Sequence, residues 1–191
     1  MAVHLTKIYT RTGDDGTSGL GDFSRVAKTD PRLVAYADAE EANAAIGVAL
    51  ALGELREDVV TVLSQVQNEL FDVGADLCTP IVSDPAYPPL RVGEDYVTRL
   101  EGWCDQFNAE LGKLDSFILP GGTPAAALLH TARVVTRRAE RSTWGAIEAD
   151  PDRTSVLTAR YLNRLSDLLF ILCRVANPDG DVLWKPGGRR G

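Results

Sequence analysis

The stretch "TPAAALLHTARVVTRRAERSTWG", residues 123–145, decides the fold. Thr123 is a suitable N-cap and Pro124 a suitable first helical residue, so we predict a helix from there to Gly145. At about 100° per residue, its polar side chains share one arc of the helix surface. That arc contains His130, Arg133, Arg137, Glu140 and Arg141. The helix therefore has a cationic face, and the rest of its surface is free to pack against a bundle.

Two strong helices are predicted in the first half of the chain. Asp30 and Pro31 repeat the cap-and-proline start, for a helix that runs to Gly53. Apolar residues then recur every three or four positions through residues 57–77, as in one stripe of an amphipathic helix. A proline-rich loop over residues 79–95 follows.

Two more helices complete the pattern. A weaker one is expected over residues 96–111, and a strong one within residues 154–177, where Pro178 stops it. Strand patterns are nearly absent apart from short pieces at either end, so we expect an all-α bundle of about five helices. At 191 residues the chain fits a single domain, 1–191, with a loosely ordered tail over 177–191.

The net charge and the cysteine pattern argue against a nucleic-acid-binding protein and against a metal site. The net charge is −7 and the pI about 4.9, so no overall positive field attracts nucleic acid, although the helix around residues 131–141 is locally basic. The three cysteines form no CxxC pair and the two histidines are far apart, which predicts buried thiols and no metal site. With no apolar leader and no membrane-length apolar run, we expect a soluble cytoplasmic protein.

The N-terminal segment, residues 1–29, contains glycines at positions 13, 16, 19 and 21 and a lysine, Lys28. It is neither a Walker A sequence nor a dinucleotide-binding GxGxxG in its usual context. Closely spaced glycines let backbone N–H groups approach an anion, and Thr10, Thr12 and Thr17 add hydroxyls. From the residues alone, a phosphate-binding loop and a flexible lead-in stay equally open.

The last predicted helix has a polar arc of its own. Arg160, Asn163, Asp167 and Arg174 share one side, opposite a leucine-rich side. For an arbitrary helical protein, such arcs usually face water and form ion pairs. Residue pattern alone favours that reading for both helices.

Five motifs occur together in one order. They are "YTRTGDDG" (9–16), "RVAKTDPR" (25–32), "FILPGGT" (117–123), "HTARVVTRRAER" (130–141) and "NRLSD" (163–167). In this combination the chain resembles the PduO-type ATP:cob(I)alamin adenosyltransferases from residue 8 to about residue 176. The resemblance implies a five-helix bundle assembled as a homotrimer, with active sites between subunits. It also implies transfer of the 5′-deoxyadenosyl group of ATP to the cobalt of cob(I)alamin, with release of triphosphate.

The resemblance assigns roles to individual residues. Lys28 would reach toward the ATP phosphates, and Arg137 and Asn163 would hold ATP, with Glu140 beside them. Arg133 would pair across the subunit interface with Glu40, and Phe117 would lie beneath the corrin ring. The residues that would line the nucleotide in the N-terminal loop are Thr10, Arg11, Thr12, Gly13, Asp14 and Gly16.

Three positions depart from the family pattern. Arg11 replaces a usual lysine and keeps its charge, whereas Asp15 replaces a second lysine and reverses it. Glu40 stands where an aspartate is common, one methylene longer. Without the resemblance, Phe117 would be read as a core aromatic beside Ile118 and Leu119.

The chemistry expected from the resemblance needs few catalytic side chains. Cob(I)alamin is a strong nucleophile, so the protein has to position the reactants, stabilise charge and exclude water, with Mg²⁺ accompanying ATP. Expected partners are a second and third copy of the chain, an adenosylcobalamin-dependent enzyme and a flavin-type reductase. A competing hypothesis is a nucleotide-responsive module that senses cobalamin or delivers it without making the cobalt–carbon bond.

Overall fold

The computed structural model of the chain describes residues 9–85 and 87–188. The remaining positions include the outer ends of the predicted N-terminal loop and tail, and they lie outside the described residues. The helices are α1 (Pro31–Leu52), α2 (Glu57–Cys78), α3 (Glu94–Asn108), α4 (Pro124–Ala149) and α5 (Val156–Val175). The predicted all-α, five-helix fold is confirmed. A short antiparallel hairpin precedes it, formed by β1 (Thr17–Gly19) and β2 (Arg25–Ala27).

The predicted helix starts are formed by local hydrogen bonds. The Asp30 side chain accepts from Arg32 N at 2.9 Å at the start of α1, and Thr123 Oγ1 accepts from Ala126 N at 3.1 Å at the start of α4. Other ends differ from the predictions. Helix α4 continues past Gly145 to Ala149, because Ala146 is buried against the core and holds the next turn in place.

The boundaries of α3 also differ, whereas α5 lies within the predicted stretch. Helix α3 begins at Glu94 and ends at Asn108, so it starts and stops two to three residues earlier than the sequence predicts. Helix α5 begins at Val156, because the Ser155 side chain accepts from Leu157 N at 3.3 Å and provides the cap.

Helices α1 and α4 form the most extensive helix pairing and run antiparallel. Arg32 near the start of α1 reaches Asp150 after the end of α4, and Asp38 accepts a hydrogen bond from Ser142 one to two turns further along. Small residues line this part of the core, which lets the backbones approach closely. The buried alanines are Ala35, Ala39, Ala42 and Ala49 on α1 and Ala125, Ala126, Ala132, Ala139 and Ala146 on α4.

Arg32 links three parts of the fold. Its side chain is about 5% exposed, and its guanidinium donates to Leu77 O at 3.0 Å, Arg153 O at 3.1 Å and Thr154 Oγ1 at 2.8 Å. A further bond joins it to Asp150 Oδ2 at 3.2 Å. The start of α1 is thereby fixed to the end of α2 and to the α4–α5 connection, directly after the N-terminal loop.

The described part of the tail is hydrogen-bonded, whereas the sequence predicts loose order there. Leu119 N donates to Val182 O at 2.7 Å and Trp184 N donates to Phe117 O at 2.8 Å, which pairs the tail with the segment before α4. This pairing depends on contacts distant in sequence, so local composition could not reveal it. Within the described ranges, no helix combines the length and apolarity needed to cross a membrane.

Candidate active site

The N-terminal loop closes on Lys28. Lys28 N donates to Gly16 O at 2.9 Å, and Gly16 has a φ of +80°, a conformation that favours glycine. A β-carbon at Gly13 would lie 3.2 Å from both Lys28 Nζ and Thr17 O. The structure thus brings together three of the predicted site residues, and two of the glycines are required by backbone conformation or close approach.

The loop presents polar groups to solvent. Thr10 Oγ1 and Thr12 Oγ1 lie 2.9 Å apart, and Asp14 N donates to Arg11 O at 3.2 Å. Arg11 has a φ of +62° and places its guanidinium 5.8 Å from the centre of the Tyr9 ring. The side chains of Thr10, Arg11, Thr12 and Asp14 are all exposed and can meet a ligand.

Asp15 and Arg25 hold the loop in shape. The Asp15 carboxylate accepts from Thr17 Oγ1 at 2.8 Å and Thr17 N at 3.0 Å, and these hydrogen bonds lower its pKa. Arg25 on β2 donates to Thr17 Oγ1 and to the carbonyl of Thr12. The Asp15 carboxylate therefore stabilises the turn at Thr17. Arg25 was missed from sequence, although "RVAK" places it three residues before Lys28.

The polar faces of α4 and α5 meet at Asn163 and Glu140. Asn163 Nδ2 donates to Glu140 Oε1 at 3.1 Å. Arg138 is held within the chain by Asp38 and Glu41, whereas Arg137 is exposed and forms no ion pair within the described part of the chain. Of these two adjacent arginines, Arg137 is the one available to an anionic ligand.

Arg133 and Glu40 do not meet within one chain. Arg133 is half-buried, with its guanidinium 5.9 Å from the centre of the Phe170 ring on α5. Glu40 is exposed on α1, in a shallow groove that Tyr36 and Phe71 also line. Burial and then the Glu40 charge raise the pKa of Tyr36. The predicted pair is therefore not formed within this chain.

Phe117 is part of an exposed apolar patch. Its side chain is 78% exposed, which excludes the core-aromatic reading, and its ring lies edge-on to Trp184 with centroids 6.0 Å apart. We call this surface the Phe117 patch; it consists of Phe117, Leu119, Val182 and Trp184. Trp184 was missed from sequence, where the three tryptophans looked scattered. An exposed apolar surface of this kind marks an interaction site.

Helices α4 and α5 bury two titratable side chains, His130 and Cys173, that have no catalytic chemistry of their own. His130 is 3% exposed and neither ring nitrogen has a hydrogen-bond partner, while burial and the nearby Arg133 charge lower its pKa. Burial raises the pKa of Cys173 to about 12, so its thiol stays protonated at neutral pH. The prediction of buried thiols is correct for Cys173, whereas Cys78, the last residue of α2, and Cys104, which packs against the core from its periphery, are half-buried. No group of three potential metal ligands occurs among the described residues.

The loop and the Phe117 patch lie toward opposite ends of the bundle. The hairpin approaches the α4–α5 connection, where Arg153 and Asp22 form an ion pair at 3.7 Å. The segment that carries Phe117 leads into the other end of α4, at Pro124. Helix α4 has 26 residues and is therefore roughly 39 Å long. A single chain holds the two surfaces apart.

Comparison with known proteins gives consistent matches. A profile of the cobalamin adenosyltransferase family matches residues 8–176. The chain is 70% identical to a corrinoid adenosyltransferase of Mycobacterium bovis over 190 residues, covering 100% of this chain and 98% of the relative. It is 43% identical to a corrinoid adenosyltransferase of Bacillus subtilis, over 94% of this chain and 92% of the relative.

A solved structure shares the fold. It is a variant of the PduO-type ATP:corrinoid adenosyltransferase from Lactobacillus reuteri, complexed with cobalamin and ATP. It is 32% identical and superposes with a TM-score of 0.85, over 94% of this chain and 99% of the other.

Proposed function

Since the chain belongs to the cobalamin adenosyltransferase family, we propose that its residues transfer the adenosyl group of ATP to cobalamin at a site completed by a second copy of the chain. In the reaction, the two electrons of Co(I) form the bond to C5′ of the ribose. The C5′–O bond breaks, and triphosphate leaves with its electron pair. The products are adenosylcobalamin and triphosphate.

One observation supports an active site that is shared between two subunits. The N-terminal hairpin and the Phe117 patch lie toward opposite ends of α4, which is roughly 39 Å long, yet the transferred carbon has to touch both the nucleotide and the cobalt. A neighbouring copy that places its loop near this chain's patch resolves the separation. The exposed Glu40 and the half-buried Arg133, unpaired with each other in one chain, fit the same contact. We propose that the assembly is the homotrimer implied by the resemblance.

The nucleotide is proposed to lie between the loop and the α4–α5 polar faces. Lys28 and Arg11 supply positive charge, and the hydroxyls of Thr10 and Thr12 donate to phosphate oxygens. Arg137 is exposed and free to form a bidentate contact with a phosphate as negative charge grows on the leaving group.

Glu140 acts on the nucleotide through Asn163. Because Glu140 accepts one hydrogen of the Asn163 amide, the amide orientation is fixed and its oxygen is left free to accept from a ligand. Glu140 is therefore a positioning residue rather than a phosphate contact.

The Phe117 patch is proposed to hold the lower face of the corrin ring. An apolar ring close to the cobalt keeps water and a nitrogen ligand away from it, which makes reduction of Co(II) to Co(I) easier. No described thiol or histidine is placed to attack the substrate, in agreement with a reaction whose nucleophile is the cobalt itself.

Magnesium is proposed to enter with ATP. The described residues offer no cluster of three ligands, so its ligands would be mainly phosphate oxygens and water, with Asp14 as an exposed carboxylate near the loop. Its chemistry there is neutralisation of the polyphosphate charge.

Subunit mixing tests both the activity and the shared site. Lys28→Ala damages the loop and Phe117→Ala damages the patch, and each is assayed with cob(II)alamin, a reductant, ATP and Mg²⁺ under anaerobic conditions in the dark. Each variant alone should be strongly impaired. After subunit exchange at equal amounts, about a quarter of the sites combine an intact loop with an intact patch, so about a quarter of the wild-type rate should return.

The controls separate the possible outcomes. Leu52→Ala removes an exposed apolar side chain at the far end of α1 and should behave as wild type. No recovery on mixing, with exchange verified by mass, would place the whole site within one chain. If the wild-type protein binds ATP and cobalamin but makes no light-sensitive product and no triphosphate, the carrier hypothesis replaces transfer.

A further inference from the structure

Residues 177–184 form a segment that we call the C-terminal strap. Its first residue is fixed to the start of α4, because Thr123 N donates to Asn177 Oδ1 at 2.9 Å and Asn177 Nδ2 donates to Gly121 O at 3.2 Å. Asn177 is buried, so these bonds are shielded from water. The strap therefore leaves α5 in a defined direction.

The middle of the strap is held by an ion pair. Arg174 Nε donates to Asp181 Oδ2 at 2.9 Å, and the two side chains are only 11% and 10% exposed. Arg174 also donates through Nη2 to Gly112 O at 2.8 Å, in the connection between α3 and α4. One arginine thus ties the strap to the chain that leads toward Phe117.

The end of the strap supports Phe117 directly. Trp184 N donates to Phe117 O at 2.8 Å, and Ser116 Oγ donates to Trp184 O at 3.3 Å. The two aromatic rings meet edge to face, with an angle of 71° between their planes. Because Phe117 is 78% exposed, core packing does not fix its rotamer, and the strap provides the ordered neighbour that can.

We propose that Asp181 is a positioning residue for corrinoid binding: its ion pair with Arg174 fixes the strap, and the strap orients Phe117 through Trp184. The inference rests on the proposed role of Phe117 beneath the corrin ring. The Phe117 ring can exclude a lower ligand of the cobalt only if it is held in place before the corrinoid binds. Otherwise part of the binding free energy is spent on ordering the ring. Asp181 makes no contact with Phe117 and acts only through the strap.

The test compares two aspartate-to-asparagine variants. Asp181→Asn removes the buried charge partner of Arg174, while Asp95→Asn removes an exposed carboxylate that pairs with Arg99 at 3.6 Å. Cob(II)alamin affinity is measured with ATP present, by titration. Asp181→Asn should weaken it by roughly tenfold or more, the factor expected when a charge-assisted hydrogen bond no longer holds the competent conformation. ATP affinity without corrinoid should not change, and Asp95→Asn should match wild type.

A spectroscopic readout separates positioning from general damage. The electron paramagnetic resonance spectrum of bound cob(II)alamin reports whether a nitrogen or oxygen ligand occupies the lower axial position. In Asp181→Asn that ligand should reappear. The bridge between Ile118 and Leu183 allows a rescue, because the backbone bonds that flank it identify the close, non-hydrogen-bonded type of antiparallel pair. A disulfide from Ile118→Cys and Leu183→Cys, added to Asp181→Asn, should restore affinity when oxidised and not when reduced.

The measurements distinguish failure of the Asp181 inference from failure of the proposed function. Wild-type affinity and an unchanged spectrum in Asp181→Asn would overturn the inference, as would a loss that the oxidised crosslink fails to restore. If Asp181→Asn does not fold, Trp184→Leu replaces it, since Trp184 is 45% exposed and its loss spares the core. An unaltered spectrum in that variant would also overturn the inference. Absence of adenosylcobalamin formation by the wild-type protein would instead reject the proposed function.

Discussion

Replacing Arg32 with methionine removes four hydrogen bonds while keeping an unbranched side chain that still fills the inner part of the site. The bonds to Leu77 O, Arg153 O and Thr154 Oγ1 lie in a site where Arg32 is about 5% exposed. The fourth partner, Asp150, is 38% exposed and can be rehydrated. Three acceptors therefore lose their donor in a place that water reaches poorly.

The cost follows from these three bonds. Hydrogen bonds to charged groups contribute about 1.5–3 kcal/mol each, and they are not fully additive. Taking the lower value for three bonds gives about 4.5 kcal/mol, and incomplete additivity reduces this to about 4 kcal/mol. For a chain of this size, that corresponds to a fall in Tm of roughly 10 °C.

Urea and thermal unfolding at one protein concentration measure the effect, because assembly makes stability depend on concentration. The control is Arg56→Met, whose guanidinium is 46% exposed and pairs with Asp58 and Glu110. Exposed pairs contribute about 1 kcal/mol or less, so the control should lose little. Equal losses in the two variants, each below about 1 kcal/mol, would refute the view that Arg32 fixes the start of α1.

Two further outcomes are expected. Tyr161→Phe deprives the buried Glu69 of the hydroxyl that donates to its Oε2 at 2.9 Å, and urea unfolding should show a loss of about 1–3 kcal/mol. Protonation of His130 should destabilise the fold in acid. Burial and the Arg133 charge, against an opposing effect of Asp181, keep the pKa of His130 in the folded protein below its ordinary value. The contribution of neutral His130 to the stability of the fold is therefore complete above about pH 6.5 and falls as the pH drops toward the folded pKa. Comparing Tm at pH 7.5 and 5.5 should show a smaller decrease in His130→Gln than in wild type, and equal decreases would contradict this.

The helices could be predicted because their signals are local. Asp30 with Pro31 and Thr123 with Pro124 each provide a cap and a first residue within two positions, and the structure forms both caps. The end of α4 was placed too early because Gly145 is a weak signal in isolation. Burial of the following turn overrides it, and burial is a property of the folded chain.

The candidate site was only partly accessible from sequence. Motif resemblance indicated Lys28 and Asn163, but not the residues that hold the loop and the patch in shape. Arg25 reaches the Thr12 carbonyl 13 residues away, and Trp184 meets Ser116 across 68 residues. Such contacts are set by tertiary packing, which composition and helical periodicity do not encode.

The alanine-lined contact between α1 and α4 has a mechanical consequence. Where alanines line the contact, the two helices have little room to slide, since a relative shift would bring the backbones into collision or open voids. Helices α1 and α4 should therefore move as one rigid unit, in which Glu40 lies on α1 and Arg137 on α4. Adaptation to ligands is then left to the glycine loop, which lies outside this helix pair, whereas the strap is already held by the buried pair of Arg174 and Asp181.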